Sequence, residues 1–128
     1  MFQGLNVFKT AHAMATHAGQ RQAVVAQNVA NADTPGYKAQ DMKPFAEVMR
    51  TDSATGMRAS RAGHLGAAQG AGGHWQTFDT NDQTDPNGNS VSVELELLKG
   101  VEVKRQHDRA LAIYKSSLSI LRTSLGRG

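Results

Sequence analysis

The sequence predicts an all-α fold: long N- and C-terminal helices paired as an α-helical coiled coil, with an irregular flexible middle segment. Three observations predict it. Small and apolar residues recur at heptad spacing near the N-terminus. A clearer heptad pattern occupies the C-terminal end. Between them runs a glycine-rich tract without helical or strand periodicity. The chain then divides into an N-terminal helix with its turn (1–36), a short extended or helical segment (37–50), a flexible loop region (51–90) and a C-terminal helix (91–128). The two ends form one core domain.

The first helix is expected from about 3 to 32. Phe8, Ala15, Gln22 and Val29 stand at heptad spacing, and Ala11, Ala18, Val25 and Ala32 follow three residues after each. Small seam residues allow close backbone approach but bury little area, at roughly 25 cal/mol per Å² of apolar surface. Such a helix needs neighbours. It should stop at or before Asp33, because Pro35 excludes the helical region for Thr34. Pro35-Gly36 suits the centre of a type II turn, where glycine takes positive φ. Asn31 and Asp33 can bond the freed backbone groups.

In the tract 51–90 the large apolar residues are Met57, Leu65, Trp75 and Phe78, and seven of the thirteen glycines fall there. Forty structureless residues inside a compact domain would be abnormal. The two ends are therefore expected to meet, with the middle left outside. Asp79, Asp82 and Asp85 read as a solvated loop, since the glycine and terminal glutamate of a calcium loop are missing.

The second helix is expected from about 92 to 125, roughly 50 Å long. Ser92 can cap it, Glu94 and Glu96 suit its first turn, and Gly126 can close it. Leu111, Tyr114, Leu118, Leu121 and Leu125 make the seam. Upstream, Lys104 and His107 interrupt it with polar side chains, which marks that stretch for contact with a different partner.

Composition narrows the function. The 128 residues carry a net charge of +3, 39% hydrophobic residues and no cysteine. Disulfide and thiolate chemistry are excluded. No stretch approaches the roughly 18 apolar residues of a membrane span. Residues 1–20 lack a basic region followed by an apolar run, so a cleaved secretory signal is not expected. From Lys104 onward six Lys/Arg face one acid, Asp108. That pattern suits either the negative end of a helix dipole or a basic module for nucleic acid or an acidic surface. No pair among His12, His17, His64, His74 and His107 has metal-ligand spacing. No partnered nucleophile stands out, and no enzyme, metal or cofactor is expected.

A plain helix stop leaves the polar density of NVANADTPGYKA unexplained. The run from Asn28 to Tyr37 closely resembles the N-terminal signature of the bacterial flagellar axial proteins: rod, hook and hook-associated. The continuation Tyr37-Lys38-Ala39-Gln40-Asp41-Met42-Lys43-Pro44-Phe45, then Met49, is similar to the proximal-rod branch, as is Asn87-Gly88-Asn89-Ser90-Val91. Where that branch often has an acid next, this chain has Ser92. Hook and distal-rod members carry large inserted domains, and this chain is short.

The resemblance implies a structural subunit of the flagellar basal body proximal rod, exported by the flagellar type III apparatus without signal cleavage. It implies contacts with other copies, with the rod-base adaptor and with other rod proteins. Asn28, Asn31, Thr34, Pro35, Gly36 and Tyr37 would form the axial motif. Phe8, Val25 and Val29, with Leu111, Tyr114, Leu118, Leu121 and Leu125, would form the assembly interface. Another short rod protein, or the basic binding module, stands as the alternative.

Overall fold

A computed structural model describes residues 2–55 and 75–126 of the chain. The elements are α1 (Phe2–Ala30), β1 (Gln40–Met42), α2 (Phe45–Thr55), β2 (Thr77–Asp79) and α3 (Val93–Leu125). The expected helices are present, and α1 ends before Asp33 as the Pro35 argument requires. The expectations for Met57 and Leu65 lie outside the described residues.

α1 and α3 pack antiparallel. Gly4 lies against Leu121, Phe8 stacks edge-on with Tyr114 at 5.2 Å, His17 meets Gln106, and Val25 lies against Gly100. The apolar side chains buried along this contact are small, among them Ala11, Ala18 and Val25 on α1 and Val103 and Ala110 on α3. Ala39 and Met42 add the junction's share. A core so rich in alanine gives little apolar stabilisation per residue.

The seams differ from the heptad reading. On α1 the row through Ala11, Ala18 and Val25 is buried, but the partner row runs through Arg21 and Asn28 rather than Gln22 and Val29, which are exposed. On α3 the buried row is Glu96, Val103 and Ala110, one position before Leu97, Lys104 and Leu111. Leu125, 71% exposed, lies beyond the Gly4–Leu121 contact. The physical reason is that Arg21, Asn28 and Glu96 are charged or polar, so an apolar count passes over them. Their burial depends on partners distant in sequence.

Two end signals behave differently from expectation. Ser92 occupies the N-cap position of α3, but its hydroxyl donates to Glu94 Oε2 (3.1 Å) and makes no cap bond. Gly126 stays right-handed at φ −76° and closes α3 by donating to Arg122 O (2.8 Å).

The third departure concerns the connector. β1 and β2 form an antiparallel pair with Gln40 opposite Asp79, Asp41 opposite Phe78 and Met42 opposite Thr77. Thr80 N–H donates to Ala39 O (2.8 Å). Residues 75–90 thus fold back onto the junction rather than lying outside it. Alternation is too short in QDM or TFD to reveal a strand, and each is held by pairing with the other. α2 starts at Phe45, just after Pro44, whose carbonyl accepts from Glu47 and Val48 N–H (3.0 and 3.1 Å). Phe45 at its first turn lies 5.6 Å from the His17 ring.

Candidate functional site

The polar density of the 28–39 stretch has a structural purpose: it meets the 85–91 stretch in a two-part clasp. Pro35-Gly36 makes the turn, with Tyr37 N–H donating to Thr34 O (3.3 Å) and Gly36 at φ 76°. Asp85 to Gly88 makes a second, with Gly88 N–H on Asp85 O (2.8 Å) and Gly88 at φ 85°. The two glycines touch. A Cβ on Gly88 would fall 3.2 Å from Gly36 Cα. Both backbone conformations favour glycine, and the close approach requires it at Gly88.

Backbone and side chains then cross-link the two turns. Gly36 N–H donates to Asn87 O (3.0 Å), and Ser90 N–H to Tyr37 O (3.0 Å). Buried Asn89 donates from Nδ2 to Asn31 O (2.9 Å) and Thr34 O (2.8 Å), while its Oδ1 accepts from Val91 N–H (2.8 Å). Ser90 Oγ accepts from Ala39 N–H (2.8 Å). Asn28, wholly buried, donates to Gln40 O (2.7 Å) and accepts from Gln40 N–H (3.1 Å) and the Tyr37 hydroxyl (3.3 Å). Asn28, on α1, therefore satisfies the Gln40 backbone of β1, and Asn89, in the segment entering α3, supplies donors to two carbonyls just past the end of α1. Carbonyls freed at a helix end need such donors.

Below the clasp lies a charged cluster. Arg21 grips Asp41 with both arms, Nε to Oδ1 at 3.0 Å and Nη2 to Oδ2 at 3.2 Å. Lys99 bridges Asp41 (3.9 Å) and the buried Glu96 (3.1 Å), and Glu102 stands 3.9 Å from Arg21. Burial pushes the Asp41 carboxyl up. The Arg21 hydrogen bonds, the Met42 N–H and the charges of Arg21 and Lys99 outweigh it, so the group titrates below its usual range. Burial likewise lowers the Arg21 guanidinium, and Asp41 more than reverses it, so its pKa is raised. Burial raises the Tyr37 hydroxyl, helped by Glu96 and Asp79.

His17 sits beside this cluster. Its Nε2 donates to Lys43 O (2.8 Å) and its Nδ1 accepts from Gln106 (3.3 Å), the pattern of a neutral ring. Burial is the main cause that lowers its pKa. The Lys43 carbonyl opposes it, Arg21 lowers it further and Asp41 opposes again. Trp75 packs edge-on at 5.2 Å.

Of the axial-motif residues, Asn28, Asn31, Thr34, Pro35, Gly36 and Tyr37 all lie in the clasp. The interface residues are dispersed. Val25 is buried within the chain, Phe8 and Tyr114 pair with each other, and Leu118 and Leu121 are half-buried. Val29, Leu111 and Leu125 are exposed. Sequence reasoning missed Arg21, Asp41, Asn89 and Glu96 as positioning groups. The one available signal was the asparagine pair flanking a glycine in NGNSV, a turn composition just before a helix.

Residues 12–38 match the sequence profile of the flagella basal body rod protein family. A curated flagellar basal body rod protein FlgB from Agrobacterium fabrum is 34% identical over 118 residues, 89% of this chain and 88% of its own. The chain belongs to the FlgB family. A FlgB from Cereibacter sphaeroides is 29% identical over 106 residues, 82% of each chain. The similarity to these FlgB proteins extends well beyond the profile match, across most of the chain.

Proposed function

We propose that this FlgB-family chain is a structural subunit of the flagellar basal body rod, and that it assembles through α1 and α3. The observation carrying this reading is where α3 leaves its large apolar residues. Leu97, Leu98 and Ile120 are 62%, 68% and 67% exposed, while its buried row is Glu96, Val103 and Ala110. Scattered exposed leucines are ordinary on a soluble chain. A helix that turns most of its large aliphatics outward still has burial to complete, and other subunits supply it.

The clasp fits the same role. It fixes the antiparallel helix pair by hydrogen bonds rather than by a large core. The pair is thus specified before assembly while remaining only modestly stable. Such a chain suits passage through the flagellar type III apparatus without a cleaved signal, followed by addition to the rod beside other copies, other rod proteins and the adaptor at the rod base. The reading assigns it no catalytic step and no cofactor.

Fractionation of the tagged full chain tests this, in normal cells and in cells without a working flagellar export gate. The expected result is recovery with basal bodies in the first and retention in the cytoplasm in the second. A chain that stays cytoplasmic in both refutes the rod reading and leaves the basic half of α3 as the surface to probe with nucleic acid.

A further inference from the structure

The helix pair has two unlike flanks at the same height. One carries β1: Arg21 reaches from α1 to Asp41, and Glu102 of α3 stands beside it. Leu95, one heptad before Glu102, shares that flank and is 45% exposed. Glu102 keeps 69% of its side chain exposed. Lys104 is only two residues on, which is about 200° around the helix, so it points to the opposite flank.

There the two helices leave a groove of about 320 Å³, formed by Ala18, Gly19 and Gln22 of α1 and by Gly100, Lys104 and His107 of α3 among others. Its surface is mainly apolar. Among the described residues Lys104 on its rim is held by Asp108 alone, in an exposed pair at 3.2 Å that water screens. Among the described residues nothing calls for a glycine at Gly19. A mid-helix glycine weakens α1 relative to alanine, yet a Cβ there would meet nothing within 4 Å. A missing side chain over an open groove is explained when another chain approaches closely.

We propose that this groove receives the Leu95–Glu102 flank of a second copy, side by side and parallel, with Leu95 in the groove and Glu102 near Lys104. Charge decides the occupant: the groove's rim is cationic at Lys104, and the opposite flank presents an exposed acid, Glu102, at nearly the height of Lys104, with the exposed Leu95 one heptad, about 10 Å, along the same flank. Because the two surfaces differ, the contact is heterologous and repeats around an axis as a ring or helix rather than closing as a two-fold dimer. The proposal rests on the rod reading and adds the orientation of neighbours to it.

The test uses the cysteine-free chain, so introduced thiols are the only ones. Gln22→Cys and Leu95→Cys are made singly and together in the full chain, and basal bodies are treated with a mild oxidant. The proposal expects a ladder of cross-linked multimers from the double variant and none from either single variant. Dimers from a single variant mean a like-to-like contact and overturn it. So does a double variant that enters basal bodies without cross-linking, which leaves the rod reading intact. Absence of the unsubstituted chain from basal bodies refutes the rod reading itself and this proposal with it. Gly19→Leu is the second variant. Its monomer is expected to melt no lower than the parent, while incorporation into basal bodies falls about tenfold or more from overfilling the groove. Normal incorporation of Gly19→Leu overturns the proposal.

Discussion

Replacing Asn89 by alanine separates the clasp from the rest of the fold. The side chain is 1% exposed and makes three hydrogen bonds, to Asn31 O, Thr34 O and Val91 N–H. Each such bond contributes about 1 kcal/mol net. The two carbonyls each keep another donor, Thr34 N–H at 3.0 Å and Tyr37 N–H at 3.3 Å. The Val91 N–H loses its acceptor. The expected loss is therefore about 3 kcal/mol, a large share of the roughly 5–15 kcal/mol typical of a domain. Asn89→Asp sharpens the test. It preserves an acceptor for Val91 but aims a carboxylate at two carbonyls, so it should be at least as damaging as alanine. Urea unfolding of the purified monomer, followed by far-UV circular dichroism, measures both. If Asn89→Ala lies within about 0.5 kcal/mol of the parent, or if Asn89→Asp is as stable as the parent, the hydrogen bonds do not hold the clasp.

Further expectations follow from the neighbouring groups. Gly36→Ala should cost about 1–2 kcal/mol from its left-handed backbone, and Gly88→Ala more, because its Cβ also presses on Gly36 Cα; thermal melts of the two variants give the order. Arg21→Met should cost about 3–5 kcal/mol by leaving Asp41 without its main partner, and adding Asp41→Leu should recover most of it, which a double-mutant cycle reads directly. His17 is neutral in the fold with a pKa held below 6.5, so between that lowered value and 6.5 the unfolded chain binds the extra proton. Stability should fall as pH drops through about 6.5, by at most about 1.4 kcal/mol per pH unit; His17→Gln should flatten this part of the urea-midpoint profile. Asp41 works in a lower window: its contribution is present above 3.8 and is lost as pH falls through its depressed value.

Much of this fold was legible because its signals are local. Pro35 and Gly36 dictate the helix stop and the turn through their own backbone restrictions, and the structure has both. The heptads located two long helices. They misassigned the inward face because Arg21, Asn28 and Glu96 occupy seam positions, and a polar side chain is buried only when a remote partner satisfies it. Asp41 comes from another element, and Gln40 offers its backbone from a strand three residues long. Neither leaves a periodic trace. Asn89 reads as a turn residue in NGNSV; its bonds to Asn31 and Thr34, more than fifty residues away, are visible only in three dimensions.

The contact between Gly36 and Gly88 has a consequence for how such chains can diversify. It ties the stem shut at one point, so the excursion of residues 37–87 leaves the stem and returns to it at the same place. Lengthening a closed loop is cheap in entropy, about 0.6 kcal/mol for each doubling. A whole domain could be spliced there while the two-helix stem kept its geometry. One stem can then serve many inserts, and subunits of very different size can share a single lattice.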